Sequence, residues 1–333
     1  MRILAGDIGA TKSILALFEA EASRFRAVRE QTFNTSHHSS LASMVLGFLS
    51  EATAKIDGTC FGVAGPVAGD ACPMVNLPWA IDARQLGIEI GVERTRIVND
   101  FHAIGHGLAR LEAADLVTLQ TGRPVPGETI AVIGAGTGLG EGYLTWSGDR
   151  YQVQSSEGGH TDFAPRNDVE IGLLNFLRAR YDHVSYERIL SGPGLFNIYE
   201  YLVETRRAAG SSRIRAEMEQ QDPAAVISHH ALAGSDDACS RALDLFVSVY
   251  GAEAGNLALK LWAASGVYVA GGIALRILPK LKDGSFIRAF RGKGRHRVFL
   301  EAVPVHVVIN PRVGLLGAAS IAARAEECGN RDG

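Results

Sequence analysis

The sequence predicts a two-domain α/β protein, and three features carry that expectation. A chain of 333 residues with 47% hydrophobic content is long enough to bury two ordinary cores. Two glycine-rich tips, at 6–12 and 134–140, each lie between short apolar runs of the length of buried strands, roughly one domain apart. A third run, "GVYVAGGIALRILPKL", passes from a strand through Gly271 and Gly272 into an apolar-periodic helix.

The first tip sits in "AGDIGATKSILAL". Its Lys12-Ser13 pair suggests a P-loop, but that pattern needs a glycine immediately before the lysine, where Thr11 stands. "RILAGDI" alternates only loosely. "SILALFE" is short, apolar and bounded, which predicts a strand and makes 6–12 the tip of a β-hairpin; a helix through "LALFEAEASRF" is the competing reading. Further on, "RIVND" is a short apolar run ending at Asn99 and Asp100, and "FHAIGHGLARL" predicts an amphipathic helix through Phe101, Ile104 and Leu108.

The second tip, in "TIAVIGAGTGLGEGYLTWSGDRYQVQ", looks like a dinucleotide fingerprint. Its third glycine is one place out of register, and "EGYLTWSGDRYQV" after it reads as strand, turn, strand. The two hairpins hint at a duplicated architecture. "DVEIGLLNFLRARY" predicts a helix with Ile171, Leu174, Leu177 and Tyr181 on one face, and "DACSRALDLFVSVYGAEAGNLALKLWAAS" a long buried one. In "NPRVGLLGAASIAARA", Asn310 is expected to cap a helix with Pro311 in its first turn. No low-complexity linker interrupts the chain, so a short hinge near residue 108 is expected.

Thirty-three basic against thirty-six acidic residues give a net charge of −3, no footprint for nucleic acid or anionic lipid. Cys60, Cys72, Cys239 and Cys328 have neither zinc-site spacing nor the density of a disulfide framework, which fits a reducing cytoplasm. "MRILAGDIGATK" lacks the apolar core of a secretory signal, and no apolar run approaches the about 18 residues that span a bilayer. The expectation is a soluble protein with small-molecule or protein partners.

The two hairpins with Asp7, Thr11 and Thr137, followed by Ala270-Gly271-Gly272, resemble the phosphate and adenosine motifs of the sugar-kinase and actin-like ATPase superfamily. "VNLPWAID", "IVNDFHAIGHGL", "VIGAGTGLG", "EGGHTDFAP" and "YERILSGPGL" then occur in the order found in bacterial ATP-dependent glucokinases, over nearly the whole chain. The first loop departs from those enzymes: Gly9-Ala10-Thr11-Lys12 stands where they usually carry a second glycine and an asparagine. A methyl at position 10 requires a negative φ. "GATK" is closer to the related repressor and open-reading-frame kinase family, whose zinc-binding cysteine cluster has no counterpart in the sequence.

The resemblance implies a ribonuclease H-like, two-domain actin-like ATPase fold with an interdomain cleft. Residues 1–108 plus 309–333 would form a small α/β domain with the first phosphate loop and the catalytic Asp, and 109–308 a large one with the sugar-binding loop, second phosphate loop and adenosine motif. The implied reaction transfers the γ-phosphoryl group of ATP to the 6-hydroxyl of glucose, feeding glycolysis. A homodimer is expected. The alternatives are a kinase for mannose, fructose or an amino sugar, a non-catalytic actin-like nucleotide-binding regulator, and polyphosphate as donor.

Each candidate residue also has a plainer reading. Glycines let backbone N–H groups approach phosphate oxygens, so Gly6, Gly9, Ala10 and Thr11, with Gly136, Thr137, Gly138, Gly271 and Gly272, are expected to hold ATP; otherwise the glycines merely turn the chain. Asp7 could hold Mg²⁺ through water, or form an Asx-turn. Asn99 or Asp100 would suit a helix cap; the family makes Asp100 the base for the sugar hydroxyl. An ordinary carboxylate, with a pKa of about 4, is a weak base, so proton removal should come late and positioning should matter more.

Glu157 and His160 flank Gly158-Gly159, a stretch flexible enough to aim both at one ligand and to move on closure, or else they are solvated loop residues. Glu187 is a first-turn acid or, by the resemblance, a sugar ligand together with Glu157, His160 and Asn99. His37-His38 and His229-His230 read as surface pairs, and Trp79 as a buried aromatic beside the cleft. Lys12 is optional on the hairpin reading: it faces solvent or adds charge near the phosphates.

Overall fold

A computed structural model describes residues 1–21, 24–50, 55–74, 77 and 79–324. Cys328 and three positions of "VNLPWAID" lie outside the described residues. The chain divides into two compact units, Met1–Ala113 with Asn310–Gly333, and Ala114–Ile309.

The first unit is built on strands β1 (Arg2–Ile8), β2 (Lys12–Glu21), β3 (Arg24–Asn34), β4 (Gly58–Val63), the small pair β5 (Ala71–Pro73) and β6 (Ala80–Asp82), and β7 (Thr95–Asn99). The main sheet has the order β3-β2-β1-β4-β7. β2 runs antiparallel to β1, whereas β4 and β7 run parallel to it. The loose patterning of "RILAGDI" has a cause: both faces of the sheet are covered. Leu4, Ile8, Leu15 and Leu17 enter one core, while Ile3, Ala5, Ala16 and Phe18 meet the helix Val313–Ala323 on the other side. The strand reading of "SILALFE" therefore holds and the helix reading does not.

The second unit adds β8 (Leu116–Gln120), β9 (Ile130–Ala135), β10 (Leu139–Trp146), β11 (Tyr151–Ser156), β12 (Gly266–Ala270) and β13 (Val305–Val308). The sheet order is β11-β10-β9-β12-β13-β8. An antiparallel run through β9, β10 and β11 continues into parallel β12 and β13, repeating the plan of the first unit. The duplication hinted at by the two glycine tips is thus visible as topology. The helix Asp237–Leu261 packs Tyr250 beneath β9, where its hydroxyl accepts the Ala135 N–H at 3.1 Å.

Several local expectations are corrected. In the helix Asp168–Arg178, Glu170, Leu173 and Leu177 are buried while Ile171 is 45% exposed; the face shifts because buried Glu170 is satisfied by Arg166 and Asn167. Tyr181 lies beyond that helix, under the Arg188 guanidinium. Arg312, not Asn310, precedes the helix Val313–Ala323; Asn310 instead accepts the Arg312 N–H at 2.8 Å, an Asx turn that places Pro311 before the helix. The helix after Gly272 breaks at Ile277, two residues before Pro279. His230 is buried, its Nε2 2.9 Å from Glu217 Oε2 and its Nδ1 2.7 Å from Ser235 Oγ, so only His229 of that pair is a surface residue. Trp79 is buried, as expected.

Candidate active site

In the first unit, three parallel strands end side by side. Their register sets Asp7 opposite Gly62 and Gly62 opposite Val98, with Val63 beside Asn99. Carboxyl ends of parallel strands are where α/β sheets bind ligands, and Asp7, Asn99 and Asp100 lie at this edge. Gly62 permits the crowding: a Cβ there would come within 3.1 Å of Ala103 Cβ and 3.7 Å of Asp100 Cα.

The first glycine tip is a tight hairpin. The Gly9 N–H donates to Lys12 O at 3.1 Å, and a Cβ on Gly9 would approach that oxygen to 2.8 Å. Thr35 braces the turn from the 3-10 turn that follows β3: its Oγ1 donates to Gly9 O at 2.8 Å and its N–H to Thr11 O at 3.0 Å. Sequence reading missed Thr35, because nothing local marks a threonine two dozen residues away as support for the loop. Ala10 is not among the residues with positive φ, so its methyl costs nothing. Thr11 and Lys12 are exposed at the tip.

Asp7 is tucked under this hairpin. Burial raises its carboxyl above the ordinary range, opposed by the charge of Lys12, and a Cβ on Gly314 would lie 3.6 Å from Oδ2. Among the described residues no group donates a hydrogen bond to this carboxylate, so its lone pairs are available to solvated Mg²⁺, which keeps much of its water and takes few protein ligands. No group of three or more metal-ligating side chains occurs among the described residues.

Of this pair, Asn99 takes the capping role. Asn99 is the cap of the helix Asp100–Leu108: its Oδ1 accepts from the N–H groups of Phe101 at 2.9 Å and His102 at 3.4 Å, and its Nδ2 donates to Gly65 O at 3.1 Å. That leaves one amide N–H for a ligand. Asp100 heads the helix, where its charge is favoured by the dipole, and its Oδ1 accepts from Phe101 N at 2.9 Å. The helix buries Ala103, Gly105 and Gly107, while Phe101, Ile104 and Leu108 are half-buried. A Cβ on Gly107 would overlap the Val313 carbonyl, and one on Gly317 that of Ala103. Two backbones thus touch, and this fixes where Asp100 projects.

In the second unit, Glu157, His160 and Glu187 converge. His160 Nε2 lies 3.9 Å from Glu157 Oε2 and 4.0 Å from Glu187 Oε2. Glu157 and His160 are largely exposed, and Glu187 is the more enclosed. Two single 3-10 turns, Gly158–His160 and Tyr186–Arg188, hold them. Gly158 and Gly159 serve close packing more than flexibility: a Cβ on the first would overlap Glu141 Oε2, and one on the second the Leu139 carbonyl.

The second glycine tip adjoins this cluster. Gly136 N–H donates to Gly138 O at 2.8 Å, closing the turn, and Glu187 Oε2 accepts the N–H of Leu139 at 2.9 Å. Thr137 sits at the exposed apex. Beside β9, Gly271 has a φ of +89° and would bring a Cβ within 2.5 Å of Ala135 O, a conformation and contact that require glycine. At Gly136 and Gly272, by contrast, a Cβ would meet nothing within 4 Å, so protein packing does not explain those two glycines.

Two α/β units of one plan, each with a glycine hairpin between antiparallel strands, define the actin-like ATPase fold of the sugar kinases. The family model described as glucokinase matches residues 4–325. The chain is 44% identical to the glucokinase of Nostoc sp. (strain PCC 7120 / SAG 25.82 / UTEX 2576), over 97% of this chain and 99% of that one. A crystal structure of glucokinase from an Antarctic psychrotroph superposes with a TM-score of 0.83 at 30% identity, covering 96% of this chain and 98% of the other. Glucokinase from Balamuthia mandrillaris in complex with glucose shares the fold, with a TM-score of 0.80 at 21% identity over 96% and 93%. The chain belongs to the glucokinase family.

Proposed function

We propose that the chain carries out the glucokinase reaction, ATP and glucose giving ADP and glucose 6-phosphate, with Asp100 as base and Glu157, His160 and Glu187 as the sugar-binding cluster. The observation that supports this most is the meeting of two carboxylates and an imidazole, with the imidazole nitrogen within 4.0 Å of an oxygen of each. Carboxylates accept from sugar hydroxyls, the imidazole can donate or accept, and together they match a polyol. Asn99 adds its remaining N–H.

Nucleotide contacts are assigned to Gly6, Gly9, Ala10 and Thr11 of the first unit and to Gly136, Thr137, Gly138, Gly271 and Gly272 of the second. Gly6 acts indirectly: a Cβ there would come within 2.5 Å of Phe61 Cδ1, so its absence leaves room for the Phe61 ring of β4 beside β1. Asp7 would hold Mg²⁺, which when bound would supply charge neutralisation at the phosphates. Asp100 orients the 6-hydroxyl for in-line attack and takes its proton as the new P–O bond forms. Most of the rate comes from positioning, because the acceptor must lie in line with the departing ADP.

A homodimer in the cytoplasm completes the reading; among the described residues no helix is long and apolar enough to cross a membrane. The direct test is ADP release with a panel of hexoses and with no sugar. Glucose should be the preferred acceptor and ATP hydrolysis slow without it. Rapid hydrolysis indifferent to glucose would contradict the assignment, and a preference for mannose, fructose or an amino sugar would redirect it.

A further inference from the structure

One buried acid has no role in this reaction scheme. Glu141, on β10, is 1% exposed, and its Oε1 has no hydrogen-bond partner. Its Oε2 presses on the backbone of Gly158, where any Cβ would overlap it. Glu141 pairs across the sheet with Ser156, whose Oγ accepts the Gly158 N–H at 3.0 Å. The turn that carries Glu157 and His160 therefore rests on a carboxyl and a hydroxyl from two neighbouring strands.

Behind Glu141 lies Glu253, fully buried in the helix Asp237–Leu261. Its Oε1 faces Lys260 Nζ at 3.3 Å, and its Oε2 accepts from Asn256 Nδ2 at 2.7 Å. The same Nδ2 donates to the Tyr186 hydroxyl at 3.0 Å, and Lys293 Nζ donates to Asn256 Oδ1. Tyr186 precedes Glu187, so the second sugar-binding turn stands on the same network.

We propose that Glu141 is a positioning residue for the sugar, which in its neutral form seats the Glu157–His160 turn through Gly158, and that its ionisation unseats that turn. The proposal rests on the glucose-site reading above. A neutral carboxyl lies against backbone in a dry site at far smaller cost than a carboxylate, which when unpaired there draws water or moves. The charged groups acting on Glu141 are Glu253 and Lys260, and the buried Tyr250 hydroxyl lies near it. Desolvation first, then the negative charge of Glu253, push its carboxyl up to about 8, against the pull of Lys260. It keeps its proton at neutral pH and loses it in mild alkali.

The experiment measures KM for glucose, KM for ATP and kcat from about pH 6.5 to about pH 9.5 in the wild type, Glu141→Gln, Gly158→Ala and the double variant Gly158→Ala/Glu141→Ala. In the wild type, KM for glucose should rise about fivefold or more above about pH 8 while KM for ATP stays nearly level. Glu141→Gln, which cannot ionise, should lose that alkaline rise. Gly158→Ala should raise KM for glucose about tenfold at neutral pH, and removing the Glu141 carboxyl in the same chain should recover most of it. An unchanged alkaline rise in Glu141→Gln, or no recovery in the double variant, would overturn the proposal. Separately, Glu157→Gln and His160→Ala that left KM for glucose untouched would overturn the sugar-site reading instead.

Discussion

Glu187 Oε2 accepts the backbone N–H of Leu139 at 2.9 Å, tying the residue that neighbours His160 to the strand that leaves the second glycine hairpin. Gly138 makes the bond possible, since any Cβ there would overlap the same oxygen. One carboxylate oxygen thus serves the hairpin, leaving the other for a ligand.

Replacing Glu187 should for this reason disturb both substrates. Glu187→Ala strands the Leu139 N–H and removes a proposed sugar contact, and an unsatisfied donor costs about 1–3 kcal/mol. KM should rise for glucose by about tenfold or more and for ATP severalfold, in steady-state assays varying each in turn. Glu187→Gln keeps an acceptor for Leu139 and should spare the ATP side while still weakening glucose.

The helix bearing Asp100 depends on a backbone contact that no larger residue allows. Gly317→Ala drives a methyl into the Ala103 carbonyl, and Gly107→Ala does the same to Val313. Each should lower stability by about 1–3 kcal/mol or more, as overpacking does. Thermal unfolding should show it. Loss of turnover at temperatures where the fold persists would indicate that Asp100 has been displaced.

Acid should weaken the first unit through the same helix. His106, beside His102 with ring centroids 5.0 Å apart, is pushed down to about 3 by burial first and by the charges of His102 and Arg324. Its folded pKa lies below its unfolded value near 6.5, so the unfolded chain binds more protons between these limits. Stability is therefore full above about pH 6.5 and lost as pH falls toward 3. Urea midpoints measured from about pH 7 to about pH 4 should fall less steeply in His106→Gln than in the wild type.

Much of this was legible in the sequence where local chemistry decides the structure. The hairpin at 6–12 followed from one missing glycine before Lys12 and from the strand-like run after it. The meeting of Glu157, His160 and Glu187 was an expectation of the family resemblance, not of periodicity. Illegible were the features set by distant parts of the chain. Thr35 bracing Gly9, Glu141 under Gly158 and the small residues between two helices all depend on contacts that spacing does not reveal. Ile171 looked like core because apolar periodicity cannot foresee that Glu170, paired with Arg166, takes the inward position.

Whether Asp100 is the base is decided by ADP release with glucose for wild type and Asp100→Ala, with glucose binding determined on both proteins. Turnover should fall about 10²- to 10⁴-fold while glucose affinity changes far less. Turnover close to wild type in Asp100→Ala would contradict the account.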